Sequence, residues 1–239
     1  MKFTLLFKNN HLLIELPNGP WLVDTGSPVT FGEFTDEVKA AFVAMTGGAW
    51  SPTKAVKSVA NIDAAAVSGF IDCKVQGLIG GDILNLVDTR IDIANGVFET
   101  SSEKMSLPGS GIDMKQAHGL PVLDVVLSDG RTCPMIFDTG AQISYLESEL
   151  PAGAIAKGNF EDFSPFVGKF STPSHELDVK LGNLPLSQRF GRLPRNLAAQ
   201  LPLTGCNGII GNEILIDRVA YYSPRQKKLV LEEKMRYLK

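Results

Sequence analysis

Two aspartates stand out as residues that could do chemistry together. Asp24 and Asp138 are each followed by Thr-Gly, and they lie almost half of the 239-residue chain apart. Two carboxyl groups held a few ångströms apart can divide the work of acid–base catalysis, because one takes a proton from a water molecule while the other gives one. Like charges that close cannot both ionise cheaply, so such a pair shares one proton and its two apparent pKa values separate.

The segments around both aspartates indicate an internal duplication. Each Asp-Thr-Gly ends an apolar run, in Leu22–Ser27 and in Ile136–Ala141. A second pair of similar segments follows, Gly77–Leu84 in the first half and Gly208–Leu215 in the second. In both halves the order is an apolar strand, Asp-Thr-Gly, a variable middle, then two apolar residues with glycine and a short helix-like run. A repeat of this length predicts two similar structural units.

These paired motifs resemble those of the pepsin-like aspartic proteases, the two-lobed relatives of the retroviral proteases. The resemblance covers both halves, although only the motif pairs are specific. It implies a mainly β fold with two duplicated, closed-barrel-like β lobes and few short helices. The expected boundaries are an N-terminal lobe at 1–104, a linker containing Pro108-Gly109-Ser110-Gly111 at 105–119, and a C-terminal lobe at 120–239.

The function implied by this resemblance is that of an aspartic endopeptidase. A water molecule activated between Asp24 and Asp138 would hydrolyse a peptide bond in a peptide or protein substrate. The aspartic-protease dyad is the standard example of two carboxyls that share a proton. No metal or other cofactor is expected. Because both aspartates are on one chain, a monomer is expected to suffice.

The resemblance also gives supporting roles to the neighbours of the aspartates, namely Thr25, Gly26, Ser27, Thr139, Gly140 and Ala141. Each threonine hydroxyl would reach the backbone of the opposite loop, and each glycine N–H would stabilise the charged carboxylate and lower its pKa. Ser27 could add a hydroxyl donor to its aspartate, whereas Ala141 cannot. One fewer donor raises the pKa of the pair, so we predict a pH optimum nearer neutrality than that of pepsin.

The middle of the first half departs from the family pattern. Phe34–Met45 has a helical period, with Thr35 as N-cap and Gly47-Gly48 as its end. Pepsin-like proteases have strands here and a β-hairpin flap that carries a tyrosine. Trp50 is the candidate to replace that tyrosine in substrate binding, the alternative being that it is a loop or core residue. The sequence next predicts strands at Lys54–Val59 and Ala65–Val75.

The middle of the second half is longer and predicts a hairpin. Phe166–Phe170 and Leu177–Leu181 read as its strands, with a turn at Ser171–Ser174. This hairpin is either a flap on the second half, which would invert the pepsin arrangement, or an ordinary surface hairpin. Asp82 and Glu213 follow the second pair of motifs, and we interpret them as anions at helix starts rather than as catalytic groups.

Composition excludes several function classes. The net charge is −3 without a basic block, which argues against nucleic-acid and anionic-membrane partners. No apolar stretch approaches the length of a membrane span. The cysteines are odd in number and widely spaced, which favours reduced thiols and a cytoplasmic location. The histidines are isolated and have no metal-ligand spacing. The three cysteines are Cys73, Cys133 and Cys206, and the three histidines are His11, His118 and His175.

Two rival functions use the same residues. The first is a pepsin-like fold that binds a peptide in its cleft without cleaving it, which the missing first-half flap favours. The second is an ATPase of the actin and sugar-kinase type, because those enzymes place Asp-x-Gly turns around ATP phosphates. They are usually much larger proteins, and no glycine pair for adenosine is evident here. Turnover of peptides and binding of ATP would separate the three functions.

Overall fold

The structure is a computed structural model that describes residues 1–164 and 167–233. The protein is mainly β, and most strands join one large mixed sheet. One buried apolar cluster runs through both halves of the chain and includes Val23 and Phe137, the residues that precede the two aspartates. Among the described residues, no helix combines the length and the apolar character needed to cross a membrane.

The first half contains nine strands and three α-helices among the described residues. The strands are β1 (Lys2–Lys8), β2 (His11–Leu16), β3 (Gly19–Val23), β4 (Phe31–Gly32), β5 (Ser58–Val59), β6 (Ile62–Asp63), β7 (Gly77–Ile79), β8 (Asp88–Asp92) and β9 (Val97–Ser101). The helices are α1 (Asp36–Met45), α2 (Ala64–Phe70) and α3 (Gly81–Leu84), with 3-10 turns at Pro52–Lys54 and Ile93–Asn95.

The second half contributes ten strands and one short α-helix to the described structure. The strands are β10 (Ile112–Ala117), β11 (Leu120–Leu127), β12 (Thr132–Phe137), β13 (Ser144–Leu146), β14 (Ile155–Ser164), β15 (Gly168–Leu181), β16 (Leu184–Gly191), β17 (Gly208–Ile210), β18 (Arg218–Ser223) and β19 (Lys228–Glu233). The helix is α4 (Arg195–Ala198), and 3-10 turns lie at Leu201–Thr204 and Asn212–Leu215.

The same strand arrangement carries both Asp-Thr-Gly loops. β3 ends just before Asp24 and pairs in parallel with β7, which pairs on its other side with β4 in antiparallel sense. β12 ends just before Asp138 and pairs in parallel with β17, which pairs in antiparallel sense with β13. These strands are apolar because both of their faces are covered. The duplication predicted from the motifs is therefore present in the strand pairing.

An antiparallel sheet joins the two halves. Its order is β1, β9, β8, β18, β19 and β10, and the pairing of β8 with β18 crosses between halves. Arg225, in the turn between β18 and β19, donates hydrogen bonds to the Asp88 carboxylate and to the carbonyl oxygens of residues 101–103. Each half therefore completes part of the hydrogen bonding of the other.

The predicted helix in the first half is confirmed as α1. The Thr35 hydroxyl caps it by accepting a hydrogen bond from the Val38 N–H at 3.3 Å. Val38 and Phe42 are fully buried on its inner face. The helix ends before Gly47 and Gly48, whose φ angles of 60° and 86° favour glycine.

The prediction of strands in the rest of this region is wrong for most of its length. Ala64–Phe70 is helical where a strand was expected over Ala65–Val75, and the Asp63 side chain caps this helix by accepting from the Ala66 N–H at 2.8 Å. Alanine is a strong helix former, and the apolar run has no strict alternation. Of Lys54–Val59, only β5 is a strand.

The hairpin predicted for the second half is wrong, because 168–170 and 177–181, which were predicted as its two strands, both lie in the single strand β15. β14 pairs with β15, and residues 171–174 lie within β15 rather than in a turn. Pro173 misled the prediction. It lies opposite Asn159, where the register between the strands shifts, and such an irregularity accommodates proline in a strand. Phe166, the first residue of the predicted hairpin, lies outside the described residues.

The segment predicted as a linker contains a strand. Residues 105–111 hold neither strand nor helix, whereas β10 occupies 112–117 and pairs with β11 and β19. β10 therefore belongs with the strands of the second half.

Candidate active site

The two aspartates meet at the centre of the molecule. A β-carbon added to Gly26 would lie 2.3 Å from the Asp138 Cγ, and one added to Gly140 would lie 2.7 Å from the Asp24 Cγ. Each loop therefore has its glycine pressed against the carboxyl of the other loop, an approach that a residue with a side chain would block. Both aspartates are half-buried and line the same cleft.

Reciprocal hydrogen bonds between the threonines join the two loops. The Thr25 hydroxyl donates to the Phe137 carbonyl at 2.7 Å and accepts from the Thr139 N–H at 3.0 Å. The Thr139 hydroxyl donates to the Val23 carbonyl at 2.8 Å and accepts from the Thr25 N–H at 3.1 Å. Both threonines are buried. These contacts are the ones that the resemblance implied for Thr25 and Thr139.

Burial dominates the electrostatics of the pair. Removal from water, followed by the charge of Asp138, raises the pKa of Asp24 well above its ordinary value. Burial also raises the pKa of Asp138, although hydrogen bonds from Asp24 and from backbone N–H groups oppose that rise. Burial therefore raises the pKa of both carboxyls, and the proton that they share belongs to the pair rather than to either residue. The N–H groups of Gly26 and Gly140 lower the pKa of the carboxyls as predicted, but desolvation outweighs their effect.

Ser27 and Ala141 support the carboxylates through their backbones. The Ser27 N–H donates to Asp24 Oδ1 at 2.9 Å, and Asp138 Oδ1 accepts from the N–H groups of Gly140 at 2.8 Å and Ala141 at 3.3 Å. The Ser27 hydroxyl donates to the Val29 carbonyl at 2.9 Å instead of to Asp24. The Ser27 hydroxyl is therefore not the donor to Asp24 that was expected, so the difference between Ser27 and Ala141 does not explain a higher pKa of the pair. Burial raises the pKa of both carboxyls instead.

Two hydroxyl residues that the sequence analysis missed hold the loops from behind. The Thr30 hydroxyl accepts from the Gly80 N–H at 2.9 Å, and the Ser144 hydroxyl accepts from the Gly211 N–H at 3.2 Å. Both lie six residues after an aspartate, and this shared spacing was the available signal. They tie each loop to the second motif of its own half.

Asp82 and Glu213 also serve the scaffold. Asp82 Oδ1 accepts from the Thr30 N–H at 2.8 Å, and Glu213 Oε2 accepts from the Arg189 N–H at 3.1 Å. Neither residue lines the cleft that contains the aspartates. They act here as acceptors for backbone groups, which agrees with a structural rather than a catalytic interpretation.

Trp50 does not lie in the cleft. Its side chain is 1% exposed, stacks on Phe34 at 5.8 Å between ring centroids, and meets Phe42 edge-on at 5.6 Å. A side chain enclosed in this way cannot contact a substrate, so the substrate-binding prediction for Trp50 is corrected in favour of a core role. Trp50 is buried because its indole packs against the apolar face of α1, which includes Phe42.

The cleft around the aspartates has a volume of about 340 Å³ and mostly apolar walls. Leu22 and Leu78 in the first half and Ile136 and Ile209 in the second form its floor beside the carboxyls. Further walls come from α2, from the region of α4, and from the β14–β15 hairpin. The lining residues from these three elements include Val67, Leu193, Leu197, Leu201, Phe163 and Phe170.

A third carboxyl, which the sequence analysis also missed, reaches the cleft from β14. Asp162 accepts hydrogen bonds from the Tyr145 hydroxyl and, at 3.0 Å, from the Gln142 side-chain amide. Burial raises the pKa of Asp162, and the charge of Asp138 adds to that rise. Burial, followed by the charge of Asp162, raises the pKa of Tyr145. No motif marks Asp162, because its side-chain partners Tyr145 and Gln142 are distant in the sequence.

The described part of the chain contains no assembled metal site. No group of three His, Cys, Asp or Glu side chains there is placed to hold a metal ion. The three cysteines are free thiols, two of them buried.

Comparison with known proteins assigns no family. No protein-family model matches the chain, and a search of curated proteins found no significant match.

Proposed function

We propose that this protein is an aspartic endopeptidase with the two-lobed pepsin-like fold. One observation carries the proposal: two Asp-Thr-Gly loops present their carboxyls to each other and are joined by reciprocal threonine hydrogen bonds. The duplicated strand pairings around β3 and β12 support it. A single chain provides both aspartates, so a monomer is sufficient for the reaction.

The two carboxyls titrate as a pair, so either could hold the shared proton at the start, and we write the cycle with that proton on Asp24. Asp138, as the carboxylate, takes a proton from a water molecule whose oxygen bonds to the carbonyl carbon of the peptide. Protonated Asp24 gives its proton to the carbonyl oxygen, which forms a tetrahedral intermediate. When the carbon–nitrogen bond breaks, the proton on Asp138 passes to the nitrogen. Asp24 regains a proton from the hydroxyl as the carbonyl re-forms, so the pair returns to its starting state.

The walls of the cleft favour apolar side chains next to the bond that is cut. Leu22 and Ile136 flank the carboxyls symmetrically, because they occupy the same place relative to the two aspartates. Apolar side chains gain free energy by leaving water, about 25 cal/mol for each Å² that they bury. We therefore expect cleavage between apolar residues of an extended peptide.

A peptide library tests the proposal directly. The purified protein is incubated with mixed peptides from about pH 3 to pH 8, a range that brackets the titration of paired carboxyls. Asp24→Asn and Asp138→Asn are assayed in parallel, and pepstatin is added to the wild type. Asp178→Asn is the matched control, because Asp178 is exposed and lies outside the cleft.

The expected result is cleavage that both active-site variants and pepstatin abolish and that Asp178→Asn preserves. Absence of cleavage at every pH by a folded protein would refute the protease proposal. The peptide-binding module would then be favoured, because the β14–β15 hairpin encloses an apolar cleft whether or not turnover follows. Peptide binding without products would establish it.

The ATPase alternative has little physical support. Among the described residues that line the cleft, none is lysine or arginine, whereas both Asp24 and Asp138 are present. A triphosphate would therefore face carboxyls with no cation to balance its charge.

A further inference from the structure

The β14–β15 hairpin projects from the sheet without neighbouring strands. Among the strands of the described residues, β14 pairs with β15 alone, and β15 pairs with β16 from His175 onward. The described residues of the projecting part, 159–164 and 168–173, therefore form a two-stranded ribbon. A two-stranded ribbon is marginally stable by itself in water. Side-chain contacts must hold it in its place over the cleft.

The ribbon reaches across to the first half. Phe163 stacks on Phe70 of α2 at 5.5 Å between ring centroids, with an interplanar angle of 16°. A second ring contact is with the buried His11, which meets Phe163 edge-on with 5.4 Å between ring centroids. Lys169 forms an ion pair with Asp72 at 2.8 Å, but both side chains are more than half exposed, so this pair adds little.

Two polar contacts fix the ribbon: the Thr172 hydroxyl accepts from the Arg192 N–H at 2.8 Å, and Asp162 binds the segment that follows Asp138. Asp162 is 5% exposed, and both of its carboxyl oxygens accept hydrogen bonds. Tyr145 and Gln142, its partners from outside the ribbon, lie in the segment that follows Asp138. Gln142 in turn accepts a hydrogen bond from the Asn10 side chain at 3.1 Å, which extends the connection to the first half.

We propose that Asp162 is a positioning residue, which holds the β14–β15 hairpin closed over Asp24 and Asp138 through Tyr145 and Gln142. Insofar as the enclosed ligand is a peptide, this inference rests on the proposed function. The hairpin then does for the second half what a flap does in other enzymes: it excludes water and orients the ligand. The first half provides the surface on which the hairpin rests, through Phe70 of α2.

Hydrogen exchange and ligand affinity test this role together. Backbone exchange of residues 155–164 is measured by mass spectrometry for the wild type, Asp162→Ala, Asp162→Asn and Tyr145→Phe. Dissociation constants for pepstatin are measured on the same proteins. Asp178→Asn is the control, because it changes an exposed aspartate at the far end of β15. Asparagine keeps an oxygen for Gln142 and an N–H₂ group that can donate to Tyr145.

We expect Asp162→Ala to speed exchange of residues 155–164 by about 10-fold or more and to weaken pepstatin binding by a similar factor, because a buried hydrogen-bond network is lost. Tyr145→Phe should change both in the same direction by less. Asp162→Asn should keep both the exchange rate and the pepstatin affinity close to those of the wild type. Asp178→Asn should change neither.

Three results would overturn the inference: unchanged hairpin exchange in Asp162→Ala, faster exchange with unchanged pepstatin affinity, or an Asp162→Asn variant as open as Asp162→Ala. The proposed function can fail separately. A wild type that cleaves no peptide, but whose hairpin opens in Asp162→Ala and recovers in Asp162→Asn, would refute the protease and retain the role proposed for Asp162. Cleavage by the wild type with an unaffected hairpin in Asp162→Ala would do the reverse.

Discussion

Removing the Thr25 hydroxyl should destabilise the protein by about 3 kcal/mol. Valine has nearly the shape of threonine, so Thr25→Val deletes two hydrogen bonds and leaves the packing nearly intact. The Phe137 carbonyl and the Thr139 N–H lose their partner in a buried place. An unsatisfied buried group costs about 1–3 kcal/mol, so two cost about 2–6 kcal/mol. That is a large part of the roughly 5–15 kcal/mol that stabilises a typical domain.

The chain offers a matched control in Thr89. This threonine is 1% exposed and lies on β8, at the contact between the halves, but its hydroxyl has no hydrogen-bond partner among the described residues. Thr89→Val therefore removes a desolvated hydroxyl and breaks no bond. We expect it to leave the free energy of unfolding within about 0.5 kcal/mol of the wild type, or to raise it.

Urea unfolding followed by circular dichroism measures both variants. Urea slopes are about 1–3 kcal/mol/M, so Thr25→Val should unfold at a urea concentration lower by about 1 M or more, whereas Thr89→Val should not. Combining Thr25→Val with Thr139→Val should cost less than the sum of the single changes, because both hydroxyls belong to one network. Equal midpoints for Thr25→Val and Thr89→Val would refute the role of the threonine hydrogen bonds.

Further predictions concern the two carboxyls. Asp24→Asn should raise the free energy of unfolding at pH 7, because the raised pKa of Asp24 in the folded protein means that ionisation of this carboxyl destabilises the fold. The gain should disappear as the pH falls below about 4, the pKa of the carboxyl in the unfolded chain. Urea unfolding of the variant and the wild type at pH 7 and below about pH 4 measures both effects. The same raised pKa predicts that cleavage peaks nearer neutrality than in pepsin, and a pH–rate profile with its maximum at about pH 3 would contradict it. Gly26→Ala should lower kcat/KM by about 100-fold or more, since its β-carbon would lie 2.3 Å from the Asp138 Cγ. Gly69→Ala on α2, where an added β-carbon has no neighbour within 4 Å, should leave cleavage unchanged, and an equal loss in both variants would contradict the steric argument.

The centre of the molecule was predictable because its chemistry restricts residue types. Glycine is required where two carboxyl-bearing loops touch, and Gly26 and Gly140 carry that signal in the sequence. The helix α1 was predictable from Thr35 and the spacing of its apolar residues. In both cases the deciding interactions lie within a few residues of each other, or recur in both halves.

Other features depend on contacts that no local pattern contains. The apolar run at 65–75 fits a strand as well as a helix, and the cap at Asp63 was the signal that would have decided between them. The Ser27 hydroxyl had two possible acceptors, and only the path of the backbone selects Val29. Asp162 meets Tyr145 because β14 brings it beside the segment that follows Asp138. The sequence analysis did not predict β14 as a strand, because Pro173 suggested a turn at 171–174 and so placed the hairpin too far along the chain.

The duplicated centre is surrounded by unequal walls, and this inequality gives the cleft a direction. The hydrogen bonds of Thr25 and Thr139 would look the same after the halves were exchanged, but α2 borders the cleft in the first half where the β14–β15 hairpin borders it in the second. A polypeptide has a direction from its amino terminus to its carboxyl terminus. The two orientations in which a peptide could bind across the carboxyls therefore place different residues against the hairpin. In the protease that we propose, one chain can therefore distinguish the amino-terminal side of a bond from its carboxyl-terminal side.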